Sequence, residues 1–271
     1  MNRVLEKLLI WVLVVFVCPL WPLRLEAQTT GTQFQPGEIE QVVAPIALYP
    51  DELVSQILMA STYPLEVVEA DRWVKQNKNL TGDPLAAALE KQTWDPSVKS
   101  LVNFPQVLST MSEKLDQTQK LGDVFLAQQK DVLDAIQKLR ARAQASGNLK
   151  TTEQQKVIVE QPTPTQQTTV IRIEPANPEV IYVPTYYPTV VYGAWPYPAY
   201  PPYPWYPAGF VASTLVGGAL AFGAGMALGS AWGYGWGNTN WRGGNVNIDI
   251  DRNTNFNRNI NRNNYRNTNA S

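Results

Sequence analysis

Apolar residues recur at helical spacing from residue 38 to residue 147 and at strand spacing around residue 170. They then merge into a stretch, residues 180–241, that carries no charged side chain. Residues 38–48 are apolar-rich and end at Tyr49-Pro50. Residues 51–61 predict a short helix with Leu53, Ile57 and Leu58 on one face. Thr62-Tyr63-Pro64 interrupts the pattern, and Pro64 suits the first turn of a helix that runs to about Asn77, with Leu65, Val68 and Trp73 inward. Asp83-Pro84 and Asp95-Pro96 each read as an N-cap followed by proline at the first helical position. Pro105 opens a longer pattern. Leu108, Met111, Leu115 and Thr118 keep one register, and Leu121, Phe125, Gln128, Val132, Ala135 and Leu139 keep a second. The offset predicts a kink or tight turn at Gly122-Asp123, and Gly147-Asn148 closes the last helix. Residues 37–147 therefore predict a small helical domain whose core takes Trp73, Trp94, Phe104 and Phe125.

Period two follows. Residues 148–183 read as linker and β-hairpin. Val170-Ile171-Arg172-Ile173 and Val180-Ile181-Tyr182-Val183 flank a proline-bearing turn, and Val157-Ile158-Val159 lies before the Pro/Thr/Gln linker at 161–167. Two strands alone are marginal, so they are expected to lie on the helical domain or to pair with Val157-Ile158-Val159. Residues 184–207 form a Tyr/Trp/Pro-rich spacer with eight prolines, seven tyrosines and two tryptophans, which favours an extended backbone with projecting rings.

Residues 208–232 are uncharged. A helix there would span ~37 Å, enough for a bilayer core of ~30 Å. Gly217, Ala221, Gly225 and Gly229 recur every four residues, and Ala219, Gly223 and Ala227 make a second row, a glycine-zipper pattern that lets helices approach closely in lipid. The alternatives are a helical hairpin turning at Gly217-Gly218 and a Gly-rich disordered segment, since glycine weakens helices in water. In the tail, residues 233–271, every odd position from Asn245 to Asn263 is Asn or Asp. That is the strand period, suited to Asn ladders between stacked copies. A low-complexity disordered tail is the alternative. Asn247, Asp249 and Asp251 are spaced as in a calcium loop, but Arg252 stands where such a loop needs glycine.

Composition narrows the chemistry. The chain has no histidine, and its one cysteine is Cys18, so His-based triads, His zinc sites and an intrachain disulfide are excluded. Acid–base work would fall to Asp, Glu, Lys or Tyr, and Glu66 and Glu69, which share a helix face, are the candidate pair, with Asp51 and Glu52 nearby in sequence. A solvated face is the simpler account of them. No cofactor, metal or nucleic acid is expected. Residues 28–147 hold 11 basic and 15 acidic side chains, whereas residues 242–271 hold five Arg and two Asp. A basic tail favours anionic partners. Aromatic rings of the spacer, Tyr197, Tyr200, Tyr203 and Trp205, suit either a membrane interface or stacking on sugars.

Arg3 and Lys7, the apolar stretch 8–20 and Leu25-Glu26-Ala27 read as an export signal over residues 1–27, followed by a flexible N-terminus at 28–36. A lipoprotein would keep Cys18, but Val15-Phe16-Val17 and Pro19 around it fit poorly. An uncleaved anchor would be shorter than the ~20 residues of a span.

Val43-Ala44-Pro45-Ile46-Ala47-Leu48-Tyr49-Pro50-Asp51-Glu52-Leu53, the block from Ala60 to Ala70, and Arg72-Trp73 resemble the opening of domain-of-unknown-function family 3300. Trp94-Asp95-Pro96-Ser97-Val98, Phe104-Pro105 and Leu126-Ala127-Gln128-Gln129 resemble its later blocks, so the similarity covers most of residues 37–190. The resemblance implies an exported bacterial envelope protein and implies no activity, because none is assigned to that family. The expected fold is mainly α: a small helical domain, a minor β-hairpin addition, then spacer, zipper and tail. The expected function is non-catalytic: a membrane-associated protein of the periplasm or cell envelope with a role in interaction, self-association or assembly. The alternative is an exported protein that binds, or through its carboxylates modifies, carbohydrate or peptidoglycan.

Overall fold

Among the described residues, proline opens five of the helices. These are α1 (Pro36–Val43), α3 (Pro64–Gln76), α5 (Pro96–Leu101), α6 (Pro105–Glu113) and the one-turn α9 (Pro188–Val191). Its missing N–H costs nothing there, and its fixed φ suits the first turn. The others are α2 (Asp51–Ala60), α4 (Gly82–Glu90), α7 (Leu115–Ala127) and α8 (Gln129–Ala145). The computed structural model describes residues 33–162, 168–205, 219–227, 236–241 and 244–249. Asp95 caps α5 as expected, accepting from Ser97 N at 2.9 Å. Asp83 does not cap α4; Thr81 holds the cap position, and Asp83 sits in the first turn, where its charge favours the helix dipole.

Gly122 does not mark a turn. It lies inside α7, and the chain breaks instead at Lys114 and at Gln128, where ψ is 52° and 58°. The change of register reflects a close approach: a Cβ on Gly122 would stand 2.3 Å from the Ser61 carbonyl oxygen at the end of α2. Gln128 has its own task, accepting from Phe34 N at 2.6 Å.

The core is built around the segment between α1 and α2. Ile46, Ala47 and Leu48 are fully buried, although they belong to no regular helix. A buried loop leaves backbone groups without water and must find protein partners for them. Three side chains from later in the chain supply these. Tyr186 and Tyr192 each donate a hydroxyl to Ala44 O, at 3.0 and 2.7 Å, and Leu48 N donates to Tyr186 Oη at 3.2 Å. Arg140, with no exposed surface, donates to Ala47 O at 2.7 Å and Tyr49 O at 3.1 Å. Trp94, Phe104 and Phe125 are buried as expected, while Trp73 is half-buried, edge-on to Trp94 at 6.0 Å.

Among the described residues, the strands pair antiparallel in four two-stranded units. Strand β1 (Gln155–Glu160) pairs with β2 (Val170–Pro175), from Gln155↔Pro175 to Glu160↔Val170. The hairpin therefore closes across the Pro-rich linker, and Val180–Ile181 (β3) is not its second arm. Side chains complete the other edge of β2. Gln137 bonds both backbone groups of Ile171, Arg140 also donates to Ile171 O, and Ile173 N donates to Asp51 Oδ1 at 3.1 Å. An open edge is thereby closed without a third strand.

Strand β3 pairs with β6 (Met226–Ala227), and β4 (Pro184–Tyr186) pairs with β5 (Leu220–Phe222). Residues 219–227 are thus two strands folded back on residues 180–186, where a membrane helix was one expectation. Glycine spacing weakens a helix in water. Gly225 lies so close to Val180 and Tyr182 that a Cβ would stand 2.5 Å from Val180 Cγ1. Among the described residues, no helix is long and apolar enough to cross a membrane. Strand β7 (Trp236–Asn240) pairs with β8 (Asn245–Asp249), so the period-two tail is strand at its start; residues 250–271 lie outside the described residues. The fold is mainly α with small antiparallel hairpins.

Candidate functional site

Residues 192–205 do not stand away from the helical domain. Gly37, Glu40 and Gln41 share one face of α1, and Lys138 and Arg142, one turn apart on α8, face them. Glycine at 37 lets the aromatic run lie flat: a Cβ there would meet Tyr200 Cδ2 at 2.7 Å and Tyr197 Cγ at 3.0 Å. Gln41 clamps the run, donating Nε2 to Pro201 O at 2.7 Å and accepting from Tyr203 N at 3.5 Å. Trp195 Nε1 donates to Tyr200 O at 2.8 Å, which fixes the turn between them.

Under this run sits a buried carboxylate, Glu40, with 2% of its side chain exposed. Lys138 Nζ lies 2.5 Å from Glu40 Oε1, and Arg142 Nη1 lies 3.1 Å from Oε2. Lys138 also donates to Tyr197 Oη at 3.2 Å and stands 5.5 Å from the Tyr197 ring centre. The hydrogen bond to Glu40 raises the Lys138 pKa above the usual lysine value. Arg142 donates to Ala194 O at 3.0 Å and stacks 5.2 Å over Trp195. Trp195, Tyr197 and Tyr200 keep part of their rings at the surface.

The candidate acid–base carboxylates are occupied structurally. Glu66 accepts from Asp95 N at 2.6 Å, and Glu69 accepts from Trp94 Nε1 at 3.1 Å, so the pair holds the turn before α5. Burial raises the Glu66 pKa. Asp51 joins Arg140, Ile173 N and Trp241 Nε1, the last at 2.9 Å. Glu52 differs: no described group bonds its buried Oε2. Burial first, then the neighbouring Asp51 charge, pushes its pKa up to about 7. Below pH 4.5, its ordinary value, Glu52 is protonated folded or unfolded and costs nothing. Between 4.5 and about 7 the unfolded chain loses its proton first, so stability falls with rising pH, and the loss is complete above 7. Glu52→Gln should therefore raise stability at pH 8 by up to roughly 3 kcal/mol and leave it unchanged near pH 4. Denaturation midpoints at the two pH values check this; a pH-independent difference counts against it.

Of the other residues expected to matter, Tyr203 is half-buried, and Trp205 is buried with its Nε1 donating to Gln117 at 2.8 Å. Ala219 is buried, Ala221 pairs with Thr185, Gly223 is exposed and Ala227 pairs with Val180. Gly217 and Gly229 lie outside the described residues. Among the described residues, no group of three or more carboxylate or thiol side chains is placed to hold a metal. Sequence reasoning missed Trp195, Glu40, Lys138 and Arg142. The available signal was the one-turn spacing of the two cations.

The family described as "Protein of unknown function (DUF3300)" matches residues 35–271, and the chain belongs to it. The chain is also 47% identical over 194 residues to the Escherichia coli (strain K12) "Uncharacterized protein YacH". That match covers 62% of this chain and 31% of YacH, so the chain spans about a third of that relative's length. No solved structure matches it.

Proposed function

We propose that this protein is a non-catalytic interaction and assembly protein of the cell envelope, exported through its N-terminal segment and membrane-associated through its charge-free stretch. The observation that carries the non-catalytic reading is the occupation of four carboxylates, the candidate acid–base pair among them; Glu52, with its unbonded Oε2, is the exception. Glu66, Glu69, Asp51 and Glu40 each hold a backbone N–H, an indole or a cationic side chain. A carboxylate so engaged is a poor proton donor or acceptor for a substrate. What remains at the surface is a fixed aromatic and proline run on a helical scaffold, which suits binding better than chemistry. Membrane association draws on residues 208–232, uncharged throughout, with aromatic residues on either side. Cell fractionation tests it: the full chain should pellet with membranes and resist extraction by high salt. Recovery in the soluble pool would overturn the membrane part.

A second reading, an exported glycan-binding protein, has one specific observation in its favour. Tyr197 and Tyr200 lie against α1 at Gly37, Trp195 is tied to Tyr200 O, and all three still reach the surface.

A further inference from the structure

We propose that the surface formed by Trp195, Tyr197, Lys138 and Arg142 is a binding site for an acidic saccharide, a sugar chain bearing carboxylates. The proposal rests on the glycan-binding reading and gives it a place and a ligand class.

Charge supplies the first step. Two cations, Lys138 and Arg142, share one carboxylate, Glu40, which leaves one positive charge in excess. The segment that covers them cannot neutralise it, because residues 180–241 contain no acidic side chain. Among the described residues, Glu40 is the carboxylate paired with either cation. An ammonium beside a buried carboxylate usually gains little from a further surface anion. Here Glu40 is divided between two cations, so Lys138 keeps attraction to spare.

Geometry supplies the second. Lys138 is 53% exposed, whereas Glu40 beneath it is 2% exposed. The ammonium carries three donors, and Glu40 and Tyr197 take two of them. The third is available on the solvent side. Arg142 is 21% exposed and is spent on Glu40 and on the Tyr192 and Ala194 carbonyls. Its part is to fix Trp195 and to add field, while Lys138 makes the contact.

The rings supply the third. Trp195 and Tyr197 are edge-to-face at 6.4 Å, and both are half-buried, so part of each reaches the surface near the ammonium. Their placement is paid for in advance by Gly37, the Trp195–Tyr200 bond and the Gln41 clamp. Aromatic surface suits the apolar face of a sugar ring, and a fixed cation beside it selects a sugar that carries an anion. Preorganised rings lose little entropy on binding.

The test uses the purified full chain in calorimetric titrations with an oligogalacturonate and with a chitooligosaccharide of the same length. Tighter binding of the acidic sugar is expected, weakening with salt. Lys138→Gln should reduce that affinity by about tenfold, the worth of one charge-assisted hydrogen bond, and Lys138→Arg should restore it. Trp195→Ala should weaken both sugars, with thermal melting run alongside to show that the variants are folded. If Trp195→Ala does not fold, the loss in Lys138→Gln and its rescue by Lys138→Arg decide the matter alone. Equal affinity for the two sugars, or an acidic preference that Lys138→Gln leaves intact, overturns this site and leaves glycan binding standing. Binding of neither sugar overturns both, and leaves the interaction and assembly reading untouched. Binding only to phosphatidylglycerol vesicles, lost in Lys138→Gln, overturns the saccharide in favour of an anionic lipid surface.

Discussion

Replacing Arg140 by alanine is expected to cost about 3–5 kcal/mol of folding free energy, because a buried charge pair is broken from one side. Arg140 has no exposed surface and donates to four acceptors: Ala47 O, Tyr49 O, Ile171 O and Asp51 Oδ1. Two of these belong to the buried segment before α2, one to strand β2, and one to the carboxylate that also takes Ile173 N and Trp241 Nε1. Trp241 covers the guanidinium at 4.5 Å. Removing the side chain leaves Asp51 without its closest cation and three carbonyls without this donor. Lysine should not rescue it, since one ammonium cannot reach carbonyls spread over a planar fork. Urea denaturation of Arg140→Ala and Arg140→Lys checks this. A midpoint within error of the parent would show that the network contributes nothing.

Arg140 also shows where the sequence was readable and was not read. It lies on the inner stripe of α8 with Ile136, Leu139 and Ala143, all buried. A cation on an apolar stripe is a signal of a buried network, and it was there in the spacing. The helix starts were legible because proline and Asp95 act locally, within a turn of the residues they fix. The covering of the helical domain was not legible. Tyr186 and Tyr192 reach back more than 130 positions to Ala44, and composition alone could not tell a free aromatic spacer from one pressed onto a helix face. The expectation of a glycine zipper between membrane helices over residues 208–232 rests on small-residue spacing. Small residues permit close approach to any neighbour, and for Gly225 the neighbours are Val180 and Tyr182 of the same chain. The aromatic platform is half legible: Tyr197 and Tyr200 stood out as aromatics, while Glu40 and Lys138 beneath them are 98 positions apart.

Gly122→Ala separates two opposed effects, and their sizes decide its sign. Inside a helix, alanine is favoured over glycine by about 1 kcal/mol. A turn or kink at Gly122 would lose that gain through backbone strain; an open helical position would keep it. The structure places the glycine in α7 with ordinary helical backbone and no free space, since the added Cβ would stand 2.3 Å from Ser61 O and 2.8 Å from Ser61 C. Both atoms are main chain, and Ser61 itself is held by a bond from its backbone N to Ile57 O at 2.9 Å and by its hydroxyl to Leu58 O at 2.7 Å. Neither helix can yield by rotating a side chain, so α7 must move off the end of α2. Overpacking of this kind costs about 1–3 kcal/mol or more, enough to exceed the helix gain. Gly122→Ala should therefore be destabilised by about 2 kcal/mol, and Gly122→Val by more. Gly147→Ala provides the reference. Its φ is +71° with nothing within 4 Å, so it should lose about 1 kcal/mol from backbone strain alone. Denaturation midpoints of the three variants test the packing directly. A Gly122→Ala protein more stable than its parent would mean that α7 and α2 do not meet at Ser61.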